Sequence, residues 1–266
     1  MSNFPVEKTS VEGPPAYPTA APVPMEPPGS YIAPRGQFGV TFACMLLSRS
    51  DRIRLIGFTS DVIAAVEAAI ARVWAAGIQN RGEYSGGGYE WKLAGHPWYG
   101  QGSEAVPSRR LVAHVLHALG NAGWHLAVAA DLSKKGWDKD TLFFKPGPPR
   151  QRYFFSVSFN ESDKVRLIDS PNPQVTGAFQ AAVSSWPLGI QDVKEKEHNC
   201  LQMKLRGRPW YSSDGAQVNH ARLLACNIMS ALDAHGFELV GSIDMSAKSS
   251  EDYGELDSWF FADKST

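Results

Sequence analysis

From Phe38 to Leu47 the chain is dense in Val, Thr, Phe and Leu, and after the polar turn Ser48-Arg49-Ser50-Asp51 the apolar Ile53 and Leu55 alternate with polar neighbours. That pattern predicts two strands. The period then lengthens. Val62, Val66, Ile70, Val73 and Trp74 recur at helical spacing, with Ser60 as the expected N-cap, Asp61 beside it and Gly77 as the stop. Ile78 to Tyr84 and Tyr89 to Leu93 read as a hairpin across Ser85-Gly86-Gly87-Gly88. A second helix is predicted from Ser103 to Ala122, its stripe formed by Leu111, Val112, Val115, Leu116 and Leu119. Strands from Trp124 to Leu132 and from Thr141 to Phe144 follow, and Pro146-Gly147-Pro148-Pro149 reads as a linker.

The same order then recurs. Lys92-Leu93-Ala94-Gly95-His96-Pro97-Trp98-Tyr99 is answered by Lys204-Leu205-Arg206-Gly207-Arg208-Pro209-Trp210-Tyr211, and Ile53-Arg54-Leu55-Ile56 by Val165-Arg166-Leu167-Ile168. Val175, Phe179, Val183 and Trp186 mark a third helix, limited by Pro187. Leu224, Ile228 and Leu232 mark a fourth, one residue out of phase with the first half. The expected fold is therefore α+β: a tandem duplication of a unit of about 110 residues, with mainly antiparallel sheet and two helices per unit. The boundaries read as a disordered proline-rich tail over 1–37, one unit over 38–147 and a second over 150–264, the two packed about a pseudo-twofold axis.

Composition narrows the function classes. The hydrophobic fraction of 43% and charged fraction of 20% are those of a globular protein. A formal net charge of −1 without a basic stripe gives no footprint for nucleic acid. No apolar run approaches the roughly 20 residues that span a bilayer, so no transmembrane segment is expected. Met1 to Ser10 lacks the apolar h-region of a signal peptide. Cys44, Cys200 and Cys226 have no cysteine counterparts between the halves, which fits reduced thiols in a cytoplasmic protein, with the nucleus not excluded. The tail crowds nine prolines between Pro5 and Pro34 and contains Pro14-Pro15-Ala16-Tyr17. There Pro14, Pro15 and Tyr17 fit the Pro-Pro-x-Tyr pattern of WW-domain ligands, a preformed polyproline helix with an aromatic ring beside it.

Candidate chemistry is sparse. Gly86-Gly87-Gly88 precedes neither a Lys-Ser pair nor a helix and so is a hairpin turn, not a phosphate loop. His114 and His117 share a helical face but have no third ligand, and no metal or cofactor is expected. The polar positions kept in both halves are Lys92/Lys204, Arg110/Arg222, Asp131/Asp244, Ser133/Ser246, Lys135/Lys248 and Asp140/Asp257. Read structurally, the arginine pairs with an aspartate at a strand end, the serine caps a turn and the tryptophan closes a core. Read functionally, Trp98, Tyr99, Arg110, Asp131, Ser133 and Lys135, with Trp210, Tyr211, Arg222, Asp244, Ser246 and Lys248, form a ligand-binding set in each unit. It would be built on aromatic platforms for a sugar or other small ligand. An asymmetric enzyme using His96, His114, His117 or His125 as acid/base is a further alternative. The sequence-level conclusion is an intracellular binding or adaptor protein.

Overall fold

A computed structural model describes residues 42–99, 102–133, 139–246 and 256–264. The WW-type motif, Lys135 and Lys248 lie outside them. The first unit runs β1 (Ala43–Ser48), β2 (Arg52–Ile56), α1 (Ser60–Val73), β3 (Ile78–Tyr84), β4 (Gly88–Leu93), α2 (Ala105–Asn121), β5 (Trp124–Ala130) and β6 (Thr141–Pro146). The second runs β7 (Phe154–Asn160), β8 (Lys164–Ile168), α3 (Pro173–Val183), β9 (Ile190–Glu197), β10 (Cys200–Leu205), α4 (Gly215–Ala234), β11 (Phe237–Ile243) and β12 (Ser258–Asp263). Each unit builds one six-stranded sheet, in the order β3-β4-β2-β1-β6-β5 and, in mirror listing, β11-β12-β7-β8-β10-β9. Every pairing within them is antiparallel. This is the duplicated α+β unit that the sequence predicts.

Local chemistry sets the element ends. Thr59, one residue ahead of the expected Ser60, takes the extended N-cap conformation of α1, and Asp61 lies in its first turn. Asn172 accepts from the Val175 N–H at 2.9 Å and Pro173 opens α3, while Asp214 accepts from the Gln217 N–H at 2.9 Å ahead of α4. The second helix begins later than expected because the chain first makes two short 3₁₀ turns, Pro97–Tyr99 and Gly102–Glu104. Gly123, at φ +80°, must be glycine, since an added Cβ would sit 2.6 Å from the Gly147 carbonyl oxygen.

The units do not pack about a twofold axis. They stack in layers: first sheet, α1 and α2, second sheet, α3 and α4. The cause is the two-sided burial of α2. Leu111, Val115 and Leu119 join the core of the first sheet, which also takes in Phe154, Phe260 and Ala262 from the second. Val106 meets Ile168 and Cys200 of the second sheet, and Arg109 donates to Ser258 Oγ at 3.0 Å. By contrast, α4 buries one stripe only, Ala221, Leu224, Ile228 and Leu232. β7 is consequently buried along its whole length, with Phe155, Val157 and Phe159 in the core beneath α3 and α4 and the alternate positions on the opposite face. A twofold would place a helix on both sheets or on neither. Here, among the described residues, the second sheet is covered on both faces and the first on one.

Candidate functional site

The repeated Lys-Leu-x-Gly-x-Pro-Trp-Tyr stretch is a structural closure. Trp98 donates its indole N–H to the Arg52 carbonyl at 2.9 Å and its backbone N–H to Ser50. Trp210 repeats both bonds, to Lys164 at 2.9 Å and to Ser162. A second pair of indoles does the same work: Trp74 donates to Ala94 at 2.8 Å and Trp186 to Arg206 at 2.9 Å. Trp98 is fully buried, so it offers no stacking platform, whereas Tyr99 and Tyr211 are exposed. Tyr99 stacks on His96 at 4.8 Å between centroids.

The other shared polar residues separate in space. Asp131 accepts from the Ser133 N–H at 2.9 Å and Asp244 from the Ser246 N–H at 3.0 Å, the same Asp-x-Ser turn after equivalent strands. Asp140 accepts from the Asp244 N–H at 2.8 Å and so ties the units together. Burial pushes the Asp140 carboxyl above the usual aspartate range; the Asp244 amide pulls it back, while Asp257, Asp244 and Asp131 add to the rise. Arg110 reaches across the chain. Its Nε donates to both oxygens of Asp169, at 2.9 and 3.0 Å, one Nη bonds Glu197 at 3.1 Å and the other the His198 carbonyl. The arginine–aspartate pair is thus present, but between the units. Burial holds the Asp169 carboxyl above its ordinary value, and Arg110 offsets this only in part.

The pairing of Arg110 with Arg222 needs correction. Leu224, Ile228 and Leu232 occupy the core positions of Leu111, Val115 and Leu119, and Gly236 ends its helix as Gly123 does. In that register Arg222 answers Arg109 and Leu223 answers Arg110. One residue separates this register from that of the Trp98/Trp210 pair, and it enters in the loop before α4.

The histidines are engaged separately. His117 donates from Nδ1 to the Arg152 carbonyl at 2.7 Å and accepts at Nε2 from Asn121 at 2.9 Å, which fixes a neutral tautomer. Burial, followed by the nearby Arg72, His117 and Arg110, lowers His114 to about 4. His125 meets the Pro148 carbonyl at 2.8 Å, and His96 meets Ser50 Oγ at 3.2 Å. Among the described residues no group of three or more His, Cys, Asp or Glu is placed to hold a metal ion, and no helix is long and apolar enough to cross a membrane.

Among the described residues, two concavities bring residues of the expected set together; a third, of about 430 Å³, is lined by charged side chains of the second sheet such as Lys164, Arg166 and Glu195. The first is a groove of about 530 Å³ over the outer face of the first sheet, floored by Cys44, Leu46, Ile56, Thr141 and Phe143, with Leu132, Ser133 and Lys139 at its rim. Lys139 is held in place by donating to the Arg49 carbonyl. The second, of about 460 Å³, lies beside α4 and brings together Trp210, Arg222, Phe159, Trp259 and Asp257. Its aromatic wall is edge-to-face, with Phe159 at 5.0 Å from Trp210 and 4.8 Å from Trp259. Of the expected ligand set, Trp210 and Arg222 therefore meet in one pocket and Ser133 borders the other, while Trp98, Arg110, Asp131 and Asp244 are engaged elsewhere.

The groove residues were not singled out from the sequence. Strand alternation makes both faces of β1 apolar, so a covered face and a bare one look alike. The available signal lay in comparing the halves: Cys44 and Leu46 stand where the second unit has Ser156 and Ser158.

No match was found among curated proteins. Among solved structures, the crystal structure of a conserved kinetoplastid-specific protein from Trypanosoma cruzi is similar at 17% identity, over 42% of this chain and 95% of that one, with a TM-score of 0.30. One domain-family model matches the chain twice, over residues 41–145 and 153–262. The two matches together span most of the chain, which belongs to that family as a tandem pair of its domains.

Proposed function

We propose that this chain is a binding or adaptor protein whose docking surface is the outer face of the first sheet. One observation supports this. The same face of the second sheet is buried beneath α2, and the face of the first carries Cys44, Leu46, Ile56 and Phe143 toward solvent. Phe154 is 5% exposed, whereas its counterpart Phe42, just ahead of β1, is 54% exposed. This half-exposed apolar patch, bordered by Ser48, Arg54, Thr141 and Lys139, favours a partner that removes it from water. The partner chemistry it fits is an amphipathic helix laid across the strands, the geometry already used within the chain. The test is an NMR titration of the full chain with a panel of amphipathic helical peptides. Shifts mapping to Cys44, Leu46, Ile56 and Phe143, lost in Leu46→Glu, are expected; shifts confined to other surfaces would overturn the reading.

The pocket beside α4 favours a second reading, a small-ligand module with an aromatic wall and one arginine opposite one aspartate. Quenching of Trp210 fluorescence by a library of sugars and planar aromatics, abolished in Arg222→Ala, would favour it over the docking face.

A further inference from the structure

We infer that copies of this chain assemble head to tail, α4 of one copy lying on the outer face of the first sheet of the next as α2 lies on the second sheet within the chain. The inference rests on reading that face as a docking surface, and it names the occupant.

The helix is prepared for the contact. On α2 the side turned to the second sheet is closed: Arg109, Ala113 and Leu116 are all buried. Their counterparts on α4, Arg222, Cys226 and Met229, are exposed, and Leu223 is 59% exposed. Leu223, Cys226 and Met229 stand three apart on the side of α4 away from its own core, interleaved with the exposed Asn219, Arg222 and Ser230.

The charge pattern agrees. Within the chain, Arg110 on α2 is answered by Asp169 and Glu197 on the second sheet. The register between the sheets is fixed by matched backbone: Gly57 (φ 85°) stands for Asp169 (φ 59°), and Gly87 (φ 87°) for Asn199 (φ 51°). In that register the first sheet offers Gly57 and Ser85 where the second offers the two carboxylates. The helix that would meet them, α4, offers Leu223 in place of arginine. At this position both sides of the ion pair have been replaced together by uncharged groups, so Leu223 leaves no carboxylate unpaired opposite it; Arg222, the counterpart of Arg109, would come to Thr141 where Arg109 meets Ser258. The fit is not a copy, since Leu46 is bulkier than Ser158 and holds the incoming helix further out.

The pocket beside α4 fits the same arrangement. In the first unit the equivalent place is shut, with Trp98, Ser108, Arg109 and Val112 all buried under the second unit. In the second unit it is open, with no described residue stacked above it. Since the contact joins two different surfaces, its repetition extends a chain of copies and does not close on a pair unless the rotation returns on itself.

The test uses the full chain in sedimentation velocity over a hundredfold range of concentration. The wild type is expected to gain mass with concentration. Leu223→Glu on α4 and Phe42→Glu on the sheet, both at exposed positions, should each weaken association by about tenfold or more, because each places a carboxylate in an apolar contact. Leu46→Glu serves as a second sheet variant, and urea midpoints check that each variant folds. The decisive sample is the mixture. A Leu223→Glu copy keeps its sheet face and a Phe42→Glu copy keeps its α4, so together they should form a complex of two and stop. A wild type that stays monomeric, assembly that survives in either variant, or a mixture that forms no pair overturns the inference. So does assembly that appears only after removal of residues 1–37, which would make the tail the occupant. A monomeric wild type that still binds a helical peptide at Leu46 would overturn self-assembly alone and leave the docking face standing.

Discussion

Arg110 offers the sharpest quantitative test of how the units are joined. Its side chain is 20% exposed and that of Asp169 10%, so the pair is largely withdrawn from water. Arg110→Leu leaves the Asp169 carboxylate buried without its partner, at a cost of about 3 kcal/mol, the low end for breaking a buried pair. Asp169→Gly alone costs less, about 1 kcal/mol, because Arg110 keeps Glu197 at 3.1 Å and glycine relieves the positive φ at that position. The double variant copies the uncharged combination found at Leu223 and Gly57 and should cost about 2 kcal/mol, so the residues couple by about 2 kcal/mol. Urea unfolding of the full chain, followed by tryptophan fluorescence, measures all four stabilities. Additive single effects, or a double variant worse than Arg110→Leu, would refute the claim that the two charges are each other's compensation.

Three further outcomes follow from the geometry. Trp98→Phe should cost about 3 kcal/mol in urea unfolding, combining a lost bond to a buried carbonyl with lost packing, and Trp210→Phe about 1, since that ring is half-buried beside an open pocket; equal costs would contradict the asymmetry. Asp140 has its folded pKa raised, chiefly by burial, so the stabilisation from its proton is complete below the ordinary value of 3.8 and is lost as pH rises through the raised folded value. Asp140→Asn should therefore melt higher than the wild type at pH 7, with the gap closing as the pH falls through that folded value, read as Tm against pH. In the tail, Tyr17→Ala should abolish capture of the chain by WW domains in a binding titration and leave its urea midpoint unchanged, with Tyr31→Ala as the silent control; equal affinity of wild type and Tyr17→Ala would refute the motif.

The duplication was legible because it is written in local chemistry: period changes, glycine stops and the repeated Pro-Trp-Tyr stretch each report on a few neighbouring residues. The role of Trp98 and the Asp131/Ser133 turn followed from the same kind of signal. The stacking of the units was not legible. It depends on α2 being apolar on two sides, and Leu116 or Ala113 in a helical pattern does not say which sheet it meets. Arg110 was read as pairing with an aspartate at a strand end, and the identity of that aspartate, Asp169 of the other unit, required the fold. The helical register was misjudged at Arg222, because one residue enters between Trp210 and α4 and carries every later equivalence with it. The bare sheet face was hidden for a related reason. Cys44 and Leu46 look like core residues in a strand, and their exposure becomes visible only against the covered Ser156 and Ser158.

The measurement that tests the account most directly uses the native thiols. Cys44 lies half-buried on the outer face of the first sheet and Cys226 exposed on α4, one on each surface of the proposed contact, while Cys200 is buried. Within one molecule the two lie on opposite outer layers of the stack, separated by layers each about 10 Å thick, beyond the span of a short bismaleimide. Isotope-labelled and unlabelled full chains are mixed, treated with that reagent and digested for mass spectrometry. Head-to-tail assembly predicts a Cys44–Cys226 link joining labelled to unlabelled chain. Cross-links confined to Cys44–Cys44 or Cys226–Cys226, or no inter-chain link at concentrations where the chain associates, would contradict it.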